Sequence, residues 1–220
     1  MRIIDLYDLT HTRAGDYLSR FTYPWEALAG IGDCIRALGA ALPADRFEQV
    51  GPDVWVARSA TVFPSAYMAG PCIIDEDAEV RHGAFIRGNA LVGKGAVVGN
   101  STELKNVILF DGVQVPHYNY VGDSILGYKA HMGAGAITSN VKSDKTPVTI
   151  HHPDHPQETG RKKCGAMLGD FAEVGCNSVL NPGTVIGRHS HIYPTSCVRG
   201  VIPPQYIYKD AQHLVPKRSN

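Results

Sequence analysis

From Val56 onward an aliphatic residue returns at every sixth position: Val56, Val62, Met68, Ile74, Val80, Ile86, Val92, Val98 and Leu104. Four residues after each of the first eight stands a small residue: Ala60, Ala66, Cys72, Ala78, Ala84, Ala90, Ala96 and Thr102. Gly, Asp, Asn and Pro collect between them. The register slips at 104–109, resumes through Leu109, Val115 and Val121, slips again, and continues at Leu126, Met132 and Thr138. After an interruption it returns at Leu168, Val174, Leu180, Ile186, Ile192 and Val198. A helix would space its apolar positions by three and four, and a flat strand by two. A period of six fits one short strand and one turn per repeat. The large side chain then points to a common axis, and the small one lets the backbone bend at a corner. This is the hexapeptide pattern of a parallel β-helix, an all-β fold.

The pattern divides the chain. Residues 51–203 are expected to form the β-helix, roughly 125 residues without the interruption, or about seven coils at three hexads each. Residues 1–50 read as an N-terminal helical cap. Pro24 suits a first helical turn, and Trp25, Leu28, Ile31, Ile35, Leu38 and Leu42 follow as a helical stripe. A cap over the coil's end, an arm packed on the coil and a contact with a neighbouring subunit are all open to it. Residues 142–164 hold three prolines and several charges without hexad register, and are expected to form an excursion loop. Residues 204–220 leave the register and read as a C-terminal tail.

Composition narrows the function. Lys plus Arg and Asp plus Glu each number 21 in 220 residues, so the formal net charge is zero. That argues against a nucleic-acid binder, which would carry a basic excess. No apolar run approaches the ~20 residues of a membrane-spanning helix, and the first residues lack the apolar core of a secretory signal. Five cysteines without a CxxC pair fit reduced thiols and a cytoplasmic location better than a disulfide framework or a zinc knuckle.

One stretch concentrates chemistry. Val115-Pro116-His117-Tyr118-Asn119-Tyr120-Val121-Gly122-Asp123 precedes Met132-Gly133-Ala134-Gly135-Ala136-Ile137-Thr138-Ser139-Asn140. His117 occupies an outward position of its hexad, where an imidazole can work as a general base near neutral pH. The small residues at 133–136 let a ligand approach the backbone. An outward histidine is, on spacing alone, more often a simple surface residue.

The run PH-x-x-Y-x-GD followed by GAG-x-IT-x-N resembles the acetyltransferase half of bifunctional glucosamine-1-phosphate acetyltransferase/N-acetylglucosamine-1-phosphate uridyltransferase, a left-handed β-helix family. The resemblance covers roughly half the chain. It implies a left-handed coil, a homotrimer, and acetyl transfer from acetyl-CoA, as cosubstrate, to the amine of an amino-sugar phosphate or sugar nucleotide, with no metal required. It places His117 as general base. It places Arg87 and Lys105 on phosphate, which suits the forked guanidinium and the point-charge ammonium. Tyr120, Asn140 and His131 fall on the substrate side, and Ala134, Cys176 and Pro194 on the donor side. The sequence departs from the family where His131 replaces an asparagine, Cys176 a serine and Pro194 an alanine. No Gly-rich nucleotide loop precedes the coil, so the uridyltransferase half is expected to be missing.

Two other classes fit. A non-catalytic sugar-nucleotide-binding β-helix would tolerate those departures. A zinc enzyme like the β-helical carbonic anhydrases would draw on His151, His152, His155, His189 or His191, but the close HxxxxH pair is absent after His117, since residue 122 is Gly.

Overall fold

The computed structural model describes residues 1–152 and 156–218. From Val54 the chain winds through about eight turns of a three-faced, left-handed parallel β-helix, one more than the hexad count predicts. The added turn comes from Val201–Ile202 and Tyr206–Asp210, which stack on turn 7 in parallel register although their sequence leaves the hexad. The strand His213–Pro216 then folds back antiparallel on Tyr206–Asp210. Residues 206–216, assigned to a tail from sequence, are therefore built into the last rungs.

The hexad positions carry the core. Every inward residue from Ile74 through Val198 is buried, while Val56, Val62 and Met68 of turn 1 are only half-buried because they line the open end. The small residues at the corners are buried for the same reason, from Cys72 onward. Successive turns approach closely at glycines. A Cβ on Gly99 in turn 3 would lie 1.5 Å from the Pro116 carbonyl oxygen of turn 4. Gly99→Ala is therefore expected to pry two rungs apart at a loss of about 2–3 kcal/mol, read as a lower urea midpoint. An unchanged midpoint would contradict this packing.

The two register slips have a structural reason. At each, one strand runs through a corner without a break, Glu103–Leu109 and then Tyr120–Leu126. Asn106 and Asp123 take left-handed backbone angles there, with φ of 56° and 48°, a conformation that Asn and Asp tolerate better than most residues.

The N-terminal helical cap lies along the flank of the coil. The stripe from Pro24 forms a 3-10 segment, Pro24–Gly30, and the helix Ile31–Ala40. The latter packs on Cys72–Ile74, Ala90–Val92 and Glu103–Leu109 of turns 2 to 4. Two short helices not foreseen from sequence, Ile3–Leu6 and Gly15–Leu18, precede it. Ile3, Leu6, Leu18, Leu28, Ile31 and Ile35 are buried, and side chains fasten the segment at several turns. Arg13 donates two hydrogen bonds to the buried Asp75 carboxylate, at 2.6 and 2.8 Å. The backbone N–H of Asp8 donates to Asp170 at 2.8 Å, and the Tyr7 hydroxyl to the Ile125 carbonyl at 3.2 Å.

The excursion between turns 5 and 6 contains a small antiparallel pair, Thr149–Ile150 with Gln157–Glu158. Val148 and Ile150 are buried against the coil near Gly183. Gln157 donates to the Tyr23 hydroxyl at 2.9 Å, tying the excursion to the N-terminal segment.

Candidate functional site

The residues singled out from sequence fall on two faces of the prism that meet at one corner. On the first face, Arg87 and Lys105 follow the inward residues Ile86 and Leu104 on adjacent rungs. Lys105 Nζ donates to both Asp123 oxygens at 3.0 Å. Asn140 Nδ2 donates to the other side of that carboxylate at 2.6 Å and to the Tyr120 hydroxyl at 3.2 Å. Asn106 Nδ2 completes the cluster, donating to Asp123 at 2.9 Å and to the Leu28 carbonyl of the N-terminal segment at 3.2 Å. Burial lifts the Tyr120 phenol above its ordinary pKa, so it stays a neutral donor. Arg87 pairs with Glu103 at 2.7 Å. Both cations thus already hold a carboxylate partner, and an incoming phosphate has to share them.

His117 ends the strand Gln114–His117, and Tyr120 begins the next across the corner. The imidazole is exposed. The backbone is fixed from both sides: the His117 N–H donates to Asn119 Oδ1 at 3.1 Å, and its carbonyl accepts from Gly135 N–H at 3.0 Å.

On the second face, His131, Cys176 and Pro194 line one groove of about 400 Å³. Its floor is bare at two glycines on adjacent rungs. A Cβ on Gly133 would lie 3.0 Å from Cys176 Sγ, and one on Gly175 would lie 2.4 Å from Pro194 N. Ala134 stands at the corner end, its carbonyl accepting from Asn177 N–H at 2.8 Å. His131 Nδ1 lies 2.8 Å from Glu173 Oε2, and Glu173 is in register with His131 on one rung and His191 on the next. Burial, and then Lys217 with its Nζ 3.0 Å from Nε2, hold the His191 pKa below its ordinary value.

The model of the GMPPB C-terminal domain matches residues 68–151. The bifunctional protein GlmU of Methanococcus maripaludis is 28% identical over 207 residues, covering 93% of this chain and 50% of the relative. A bifunctional sugar-1-phosphate nucleotidylyltransferase/acetyltransferase of Sulfurisphaera tokodaii is 32% identical over 147 residues, covering 59% of this chain and 37% of the relative. The chain is a hexapeptide-repeat protein that resembles the acetyltransferase half of these bifunctional enzymes. It spans half or less of the length of these curated relatives. Among solved structures, a hexapeptide transferase family protein from Anaplasma phagocytophilum aligns at a TM-score of 0.42 and 15% identity, over 76% of this chain and 81% of that one.

Several residues of this hexapeptide-repeat chain gave no sign of their role in the sequence. Asp123 closes the PH-x-x-Y-x-GD run, but nothing in the sequence marks it as the hub of the first cluster. Glu173 had none, because 42 residues separate it from His131. Of the histidines that zinc could draw on, His155 lies outside the described residues. Among the described residues no three His, Cys, Asp or Glu side chains gather in a metal-holding arrangement. No helix among them is long and apolar enough to cross a membrane. Burial pushes the Cys72 and Cys164 thiols up to about 12 and Cys34 to about 11, which keeps them unreactive; Cys176 and Cys197 are exposed.

Proposed function

We propose that the chain moves an acetyl group from acetyl-CoA to the amine of an amino-sugar phosphate or sugar nucleotide. The observation that carries this reading is the place of His117 in the chain, at the end of the strand Gln114–His117 and at the corner where Tyr120 begins the face of Lys105 and Asn140, with its carbonyl bonded by Gly135 beside the glycine-floored groove. The likeness to bifunctional relatives, one of which carries acetyltransferase in its name, supports it. The groove over Gly133 and Gly175 suits the slim arm of a thioester donor, with Ala134, Cys176 and Pro194 along it. The acceptor phosphate shares Arg87 and Lys105 with their carboxylates, and Tyr120 and Asn140 hold the sugar.

The substrate amine attacks the thioester carbonyl. The C–N bond forms, the C–S bond breaks, and the amine proton passes to His117 Nε2 or Nδ1. Backbone N–H groups near Ala134 stabilise the oxyanion, and the thiolate leaves as the thiol after taking a proton.

Acetyl-CoA offered with glucosamine-1-phosphate and a panel of nucleotide-linked amino sugars is expected to release free thiol and yield one N-acetylated product by mass spectrometry. The paired state of both cations favours a second reading, a binding module without turnover. Tight binding of a sugar nucleotide with no thiol release from any acceptor would select that reading and end the enzymatic one.

A further inference from the structure

We propose that the cleft between the excursion loop and turns 5 to 7 is a phosphate-binding site, separate from the cations at Arg87 and Lys105. It encloses about 390 Å³, and its lining is predominantly polar. Arg199 reaches it from turn 7, and Lys142 and His151 reach it from the excursion. The Arg199 guanidinium makes no hydrogen bond or ion pair among the described residues, and neither do the hydroxyls of Ser139, Ser143 and Thr149, residues that line the same cleft.

The charge favours an anion. Asp144 is the acidic residue of the lining. Its carboxylate is already engaged by the Thr146 N–H at 3.0 Å, the Thr146 hydroxyl at 2.8 Å and Lys142 Nζ at 3.4 Å. Lys142 and Asp144 offset one another, which leaves Arg199 as the cation of the lining without a carboxylate partner among the described residues. A forked guanidinium, an ammonium, an imidazole and three hydroxyls offer more donors than the two oxygens of a carboxylate can use. They match the three oxygens of a phosphoryl group.

Register separates this site from the first. Arg87, Lys105, Gly122, Ser139, Asn181 and Arg199 occupy one outward column on consecutive rungs. Arg199 stands four rung spacings from Lys105, roughly 19 Å at ~4.8 Å per spacing. One phosphate cannot touch both. The cleft holds a second phosphate, free or carried at the far end of an extended ligand.

Calorimetric titration of the full chain with inorganic phosphate and inorganic diphosphate at low salt tests the site. Arg199→Ala is expected to weaken diphosphate binding about tenfold or more, and Arg87→Ala is expected to leave a wild-type component. Because Arg199 has no partner to lose, the melting temperature of its variant should match wild type. Arg199→Lys should restore part of the affinity. Absence of anion binding, equal affinity in Arg199→Ala, or loss only in Arg87→Ala would each overturn the proposal. Titrations with coenzyme A and with UDP then identify the source. A loss confined to coenzyme A in Arg199→Ala assigns the phosphate to the donor, and a loss confined to UDP assigns it to a sugar nucleotide. A loss with neither leaves free phosphate as the ligand. These readouts need no turnover, so they stand or fall apart from the acetyl-transfer reading.

Discussion

Asp170→Ala is expected to lower stability by about 3–5 kcal/mol, a large loss for the truncation of one side chain. The carboxylate is fully buried in turn 6. It accepts from the backbone N–H of Asp8 in the N-terminal segment and of Tyr128 in turn 5, each at 2.8 Å, and from Arg188 of turn 7. Truncation strips three donors at once. Two are main-chain groups that water reaches poorly, and an unpaired buried polar group costs about 1–3 kcal/mol. Arg188 is about a third exposed, so solvent screening discounts its share. For a chain of this size the loss corresponds to a melting temperature lower by roughly 6–20 °C. Asp170→Asn keeps an acceptor for one or two donors and should fall between. A loss below about 1 kcal/mol in urea unfolding would show that the Asp170 carboxylate does not hold these three elements together.

His117→Ala is expected to cut turnover by about 10²–10⁴-fold, the usual contribution of a positioned general base. The effect should fall on kcat, with the acceptor KM changed little, because phosphate and sugar are held by Arg87, Lys105, Tyr120 and Asn140. Stability should be unaffected. The imidazole is exposed, and the bonds that fix this corner use the His117 backbone, which alanine keeps. Steady-state kinetics over a range of acceptor concentrations provide the check, since kcat should fall while the acceptor KM holds. Turnover within a factor of about three of wild type would remove His117 from the reaction.

The coil was legible because its rhythm is local. Each turn repeats the same demand for a large inward and a small corner side chain, and Ile74 through Val198 meet it. The last turn was not legible. Tyr206–Asp210 and His213–Pro216 satisfy each other as an antiparallel pair, so they need no hexad. The helical stripe after Pro24 was readable from its apolar spacing, but its placement on the flank was not. That placement depends on contacts such as Asn106 with Leu28, 78 residues apart. Of the candidate site, the sequence exposed the residues that resemble a known motif, and each now has a position. It hid the partners Glu103 and Glu173. Acidic residues on outward positions look like ordinary surface until the rungs are stacked.

The excursion begins and ends at one place. Cys164 N–H donates to the Asn140 carbonyl at 3.0 Å, and the coil resumes with Met167 directly above Ile125. The segment is a closed handle on an undisturbed shaft. Its exposed positions can change, through insertion, trimming or exchange, while Val148 and Ile150 keep it seated on the coil. Selection can thus retune what is held at this side of the molecule without renegotiating how the rest of it folds.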